Sequence, residues 1–194
     1  MTIEQELAEL KATVAALNDR QDIRDCIQRE SRARDRQDAE QIAGCWWDDG
    51  VDEHGAVVTF APEYPEKANK GHNSNFNMTS HNITNHLCEL DGDQAYCESY
   101  VIGGLHWLDG NKGSGSEGET TTLALGRYID QLERRNGEWR IVTRRCTIEA
   151  SLNADGNWVH SPNVKGFLKG LWSKDDPSYE RPISWKPKEE GVRW

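Results

Sequence analysis

The sequence predicts an α+β fold in which N-terminal helices pack against a curved, cone-shaped antiparallel sheet. Three observations carry that expectation. Apolar residues recur at helical spacing only in the first fifty or so positions. Alternating segments then follow, separated by turn signals at Asp91-Gly92-Asp93 and Arg135-Asn136-Gly137. Helical patterning does not return between those strands, so they pair as a meander rather than as βαβ units.

The elements follow in chain order. Ile3, Leu7, Leu10, Val14 and Leu17 step by three and four, which predicts an amphipathic helix over residues 3–18. Its stripe suits packing on a core; as an a/d seam it would also pair protomers, but the segment is too short for a coiled coil. Residues 20–36 continue as a second helix carrying Ile23, Cys26, Ile27, Glu30, Ala33 and Arg34. Gln37-Asp38 opens a third, AEQIAGCWW, stopped near Asp48-Asp49-Gly50. The first clear strand is 55–60. Pro62, Pro65 and the polar run 67–77 read as a long connection with one helical turn, placed as a lid or pocket rim. Strands are expected at 80–90, 96–108, 120–132 and 139–150, with a flexible turn over the glycine-rich residues 110–119. Residues 1–152 are thus expected to form one domain, N-terminal helices included. Residues 153–194, rich in proline and charge after the apolar piece 164–172, form an extension that wraps over the domain or a neighbouring subunit.

Composition narrows the function. With 194 residues, 36% hydrophobic and 29% charged, the chain is long enough to bury a real core as one domain. A net charge of −10 and no basic run argue against nucleic acid as a partner. No apolar run reaches a membrane span, and the acidic start lacks the order of a signal peptide, so a cytoplasmic location is expected. Five cysteines, widely spaced, give no zinc signature, and no metal site is expected. Cys88 and Cys97 would face each other across a two-residue loop, as reduced, packed thiols. Eight tryptophans suit a large apolar interior, an aromatic-lined cavity or an oligomer interface. There is no glycine-rich phosphate loop and no nucleophile elbow, so no cofactor and no covalent step are expected.

The centre of the chain is 80–100, SHNITNHLCELDGDQAYCESY. Strict alternation puts His81, Ile83, Asn85 and Leu87 on one face and His86 on the other. A neutral histidine beside aliphatic side chains is placed for proton transfer at a pocket wall; it is equally placed as a half-buried, hydrogen-bonded histidine.

The ordered set of SRARDRQD at 31–38, DDGVDEHG at 48–55, SHNITNHLCELDGDQA at 80–95, GRYIDQLERRNGEWRIVTRR at 126–145 and DDPSYERP at 175–182 resembles the SnoaL-like branch of the nuclear transport factor 2 superfamily. The resemblance implies the NTF2-like α+β barrel and, in the branch holding dehydratases and dehydrochlorinases, catalysis by an Asp at a helix end paired with a strand His. By motif these are Asp35 and His81; a carboxylate on one imidazole nitrogen makes the other a better base. Asp35 has a second reading, a helix-end charge paired with Arg32 or Arg36. Arg127, among Leu123, Leu125 and Ile129, is expected to assist the leaving group or to sit in a buried ion pair. Glu30 stands where dehydratases of the group carry Tyr, and is expected to act as a second base, to bind a substrate hydroxyl, or to be a solvated helix glutamate. Trp47, His54 (otherwise a turn histidine), Asn85 and Arg144 complete the expected substrate-binding set, with Arg145 the alternative to Arg144.

The function expected is therefore a lyase. It would remove water or formaldehyde from a hydroxylated hydrophobic ring compound of steroid or lignin type, as a homodimer or homotrimer. An isomerase with the same proton relay and a non-catalytic binding module are the alternatives.

Overall fold

The protein was analysed as a computed structural model, which describes residues 1–107, 120–185 and 190–194. The first element is one helix, α1, Ile3–Arg36, where the sequence predicts two. No Gly or Pro interrupts Asn18-Asp19-Arg20, so nothing breaks it. Thr2 and Gln5 close a capping box at its start, the Thr2 hydroxyl accepting from the Gln5 N–H at 3.2 Å and the Gln5 side chain from the Thr2 N–H at 2.9 Å. Gln37, at φ 53°, ends it in the left-handed conformation. The expectation that residues 3–18 pack on the core is corrected: residues 1–18 are exposed throughout, and α1 first meets the body at Asp19, which accepts from Arg134 and Trp139.

The third helix is shorter than its sequence pattern. α2 is Ala39–Ala43, capped by the Asp38 carboxylate. Trp46 and Trp47 leave it to open strand β1, Trp46–His54. β1 turns at Gly55, φ 63°, into β2, Val57–Phe60. The segment expected as a long connection with one helical turn is a three-turn helix, α3, Tyr64–Asn75, started by Pro65 in its first turn. The meander follows as β3 Phe76–Asp91, β4 Gln94–Trp107, β5 Thr120–Arg135 and β6 Glu138–Asp155. The glycine-rich turn at 110–119 lies outside the described residues. Among these, no helix is long and apolar enough to cross a membrane.

The sheet order is β2-β1-β6-β5-β4-β3. All neighbours are antiparallel except β1 and β6, which run parallel, so the sheet is mixed rather than wholly antiparallel. Both hairpin turns have two residues: Gly92-Asp93, with Gly92 at φ 59°, and Asn136-Gly137, with both at positive φ. Register places Cys88 opposite Cys97, and both are free thiols. One face of the sheet closes on the second half of α1, and Ile23, Cys26, Ile27, Ile42, Trp46, Leu132, Trp139 and Ile141 form the core there.

A register shift between Ile83 and His86 breaks the alternation of β3. An irregular residue pair exchanges the faces beyond it. Asn85 and Leu87 are therefore exposed and do not share the face of His81. His86 turns inward instead, its Nδ1 2.8 Å from the hydroxyl of buried Ser99.

The tail after β6 folds back on the end of α1. Asp38 receives Lys174 and the Tyr179 hydroxyl (2.8 Å), Asp176 pairs with Arg36 at 3.4 Å, and Arg32 lies over the Tyr179 ring at 4.5 Å.

Candidate active site

The end of α1, the start of β3, α3 and the middle of β4–β6 enclose a cavity of about 400 Å³. Much of its wall is apolar, with Phe76, Val101, Leu105 and Ile148. Its polar lining includes Arg34, Asp52, His54, His72 and His81.

His81 lines the cavity, and Asp35, which does not, meets it from behind. The Asp35 Oδ1 lies 2.6 Å from His81 Nδ1, while its Oδ2 accepts the backbone N–H of His81 at 2.7 Å. The Thr79 hydroxyl donates to Oδ1 at 3.0 Å. Helix end and strand are thus tied by one residue pair. Burial alone would raise the Asp35 carboxyl, but the hydrogen bonds it accepts from the His81 ring, the His81 backbone N–H and Thr79 outweigh that and hold it below its ordinary range. An ionised carboxylate fixes the proton on Nδ1, which leaves the Nε2 lone pair of this cavity-lining imidazole to act as base.

Three further groups in the wall were not singled out in the sequence. Arg34, buried, donates to the Tyr128 hydroxyl at 3.3 Å and contacts His72 Nε2 at 3.2 Å. A guanidinium only donates, so His72 Nε2 accepts and its proton sits on Nδ1. Burial, then the Arg34 charge, push His72 down to about 3, so it is neutral. It stacks on His81 with ring centres 5.7 Å apart. Among the described residues no carboxylate pairs directly with Arg34, whose hydrogen-bond partners are both neutral. A buried cation with neutral partners in a cavity wall is matched to a developing negative oxygen. The third group is Asp52, on β1. Burial raises it to about 6 against the opposing charges of Arg144 and Arg34, and its Oδ1 is buried without a partner.

His54 lines the cavity as expected, half-exposed at the rim, its Nδ1 3.8 Å from Asp52. Loss of water on its inner side, then the Arg34 and Arg144 charges, lower it.

The other predicted positions are corrected. Glu30 is fully buried but does not line the cavity; it accepts from Tyr64 at 3.2 Å and pairs with Arg144. Burial opposes its ionisation, and the Arg144 and Arg34 charges overcome that and lower it. Tyr64, held by Glu30, does line the cavity, so α3 brings a phenol to the wall. Arg144 faces inward and Arg145 outward, but Arg144 is spent on the fold. It donates twice to Asp130, at 2.8 and 2.9 Å, and to Glu30, with its guanidinium 4.0 Å from the Tyr128 ring centre. Arg127 is one of the residues lining the cavity, as expected, yet its guanidinium pairs with Glu98 and Glu149, neither of which lines it. Leu123, Leu125 and Ile129, its face-mates, are exposed, so that face is the outer one. Trp47 is outside the cavity: its indole donates to the Glu133 carbonyl at 2.9 Å, between Arg135 and Arg140. Asn85 is exposed beyond the register shift.

Two trios have donors within 4.8 Å of one another: Asp52, His54 and Cys146 in the wall, and His86, Cys88 and Cys97 outside it. In the first, burial pushes the Cys146 thiol up to about 12, so a cation there would have to displace that proton.

Several known proteins share this architecture. A hexachlorocyclohexane dehydrochlorinase, LinA type 2, is 22% identical with a TM-score of 0.65, over 74% of this chain and 94% of its own. A scytalone-dehydratase-like protein of Novosphingobium aromaticivorans is 16% identical with a TM-score of 0.61, over 74% and 92%. The Mycobacterium tuberculosis protein Rv3472, of unknown function, is 28% identical with a TM-score of 0.57, over 69% and 77%. No curated sequence matches the chain significantly. The family model for the SnoaL-like domain matches residues 15–145, two thirds of the chain and all the elements that build the cavity up to β6. With that match and the helix-backed curved sheet, the chain belongs to the SnoaL-like family of the NTF2-like superfamily.

Proposed function

We propose that the protein is a cofactor-independent lyase that eliminates a small neutral fragment, water or formaldehyde, from a hydroxylated hydrophobic ring substrate. The observation that carries this reading is the 2.6 Å contact from Asp35 to His81, whose side chain lines a largely apolar cavity. His81 Nε2 takes the proton. Removed from carbon, it lets a neighbouring hydroxyl leave, and that oxygen takes the same proton back from His81 Nε2 to depart as water. Removed from a primary hydroxyl, it lets the adjoining C–C bond break; formaldehyde departs and the electron pair passes to the ring system. Arg34 faces the oxygen on which charge develops. A cavity of about 400 Å³ is of the size that holds a small ring compound.

One observation favours a second reading. Asp52, titrating near 6 in the same wall, can return a proton to the substrate, which would make the protein an isomerase.

The test is to incubate wild type and His81→Ala with hydroxysteroids and lignin-type aromatic diols, following mass loss without added cofactor or metal. Loss of water or formaldehyde in wild type, and not in a folded His81→Ala protein, is the expected result. A product of unchanged mass would move the assignment to isomerase. Equal turnover in both proteins would remove His81 as the base. Tight binding without turnover would make this a binding module.

A further inference from the structure

The first half of α1 carries a second apolar stripe that the domain does not use. Ile3, Leu7, Leu10, Val14 and Leu17 are 46–84% exposed, spaced four, three, four and three residues apart. The stripe that docks on the domain is Ile23, Cys26, Ile27 and Glu30. At ~100° per residue the two stripes lie on opposite sides of the helix, about 170° apart. The exposed stripe is therefore not a frayed continuation of the core face. It also stops where the helix meets the body: the next positions in its register are Gln21, Arg24 and Gln28.

We propose that this segment is a homodimerisation device: α1 residues 3–17 pair with the same segment of a second copy as a short parallel coiled coil. The spacing is that of alternating d and a positions, with Ile3, Leu10 and Leu17 at d and Leu7 and Val14 at a. Charge chooses the direction. In the parallel arrangement a g residue faces the e residue five positions later on its partner, which sets Glu6 against Lys11 twice across the two-fold axis. In the antiparallel arrangement centred on Leu10, Lys11 would meet Lys11. Geometry agrees with the parallel choice. Each domain lies on the far side of its own helix, so two copies can bring their seams together without collision. The shortness that argues against a coiled coil from sequence is removed by the structure, because the segment is the free end of a 34-residue helix anchored from Asp19 onward. Nucleation, the costly step for a short helix, is already met. The seam also lies almost wholly ahead of residue 15, where the match to the SnoaL-like domain begins, so it is an addition to the shared fold.

The test is light scattering during size exclusion on the full chain, with Leu10→Glu/Leu17→Glu as the variant. These residues touch neither core nor cavity, so the variant folds, as far-UV circular dichroism and its melting transition will show. The expected result is a wild-type mass of an even multiple of 22.0 kDa that halves in the variant. A single-chain mass for wild type, or an unchanged mass in the variant, would overturn the proposal; the second result would place any contact on the sheet or tail. Orientation is read from charge exchange. Glu6→Lys and Lys11→Glu should each weaken association, and the double exchange should restore it. Failure of the double exchange to restore association would overturn the parallel arrangement.

Discussion

Asp35 grips His81 at two points, its Oδ1 on the ring Nδ1 at 2.6 Å and its Oδ2 on the backbone N–H at 2.7 Å. One carboxylate thereby sets both the position of the strand and the tautomer of its histidine. Asp35→Asn keeps the shape and removes the charge. The amide cannot hold the proton on Nδ1 as the carboxylate does, and the base at Nε2 is lost for part of the population. Turnover should fall by ~10²–10⁴-fold, the usual contribution of a positioned proton-transfer group. The stability consequence has a definite sign. The Asp35 carboxyl is held low in the fold, so its contribution is present above the ordinary carboxylate range and is lost as pH falls through it. The stability gap between wild type and Asp35→Asn, measured by denaturant unfolding, should be largest near neutral pH and close on acidification.

Asp52 should show the opposite sign. Burial lifts it to about 6 from 3.8, so the fold binds more protons than the unfolded chain between those values and loses stability as pH rises through them. A shift of that size corresponds to roughly 2–3 kcal/mol once pH is well above 6. Asp52→Asn removes the titration while keeping the volume. Relative to wild type, its melting temperature should be higher at pH 8 than the same comparison gives at pH 4. A difference independent of pH would mean that Asp52 is not the raised group.

The sequence made the Asp35–His81 contact legible because both partners sit where simple periodicity holds. Asp35 ends an unbroken helix, and His81 precedes the register shift at Ile83. Asn85 lies just beyond that shift, which is why alternation put it on the wrong face. Arg127 was set on the right strand face, but its aliphatic companions Leu123, Leu125 and Ile129 point outward, and apolar composition alone does not tell inside from outside. Arg34 had a usable signal: with Ile23, Ile27 and Glu30 it continues the helical stripe that proves to be buried. His72 and Tyr64 had none, since the segment holding Pro62, Pro65 and the polar run reads as a long connection with one helical turn, and no apolar stripe marks a longer helix there. Asp52 was hidden because β1 was expected only after Gly55; a strand through His54 puts residues 52 and 54 on one face.

Gly126 gives a prediction about the cavity wall itself. A β-carbon on it would fall 2.0 Å from the Thr147 carbonyl oxygen, at the register shift between β5 and β6. Backbone, not a flexible side-chain end, is what it would meet. Gly126→Ala should therefore force the strands apart and cost about 1–3 kcal/mol, the range for overpacking a filled site. Its effect on substrate affinity should exceed that of an alanine in an open turn such as Gly137→Ala, because Gly126 lines the cavity and Gly137 does not.

Arg144 and Arg127 were both expected to serve the substrate, and the structure separates them by what each would leave behind. Arg144 sits fully buried between two buried carboxylates, Asp130 and Glu30, and against the Tyr128 ring. Removing it strands two buried negative groups, and breaking a buried pair of this kind costs about 3–5 kcal/mol. Arg144→Met should therefore lose its cooperative melting transition at a much lower temperature, or fail to fold, whichever substrate is present. Arg127 pairs with Glu98 and Glu149 on the outer face, where such contacts contribute ~0–1 kcal/mol. Arg127→Ala should melt within a few degrees of wild type and turn over substrate at nearly the same rate. A large loss of turnover in a normally melting Arg127→Ala protein would show that this arginine reaches the substrate, and would return it to the catalytic set.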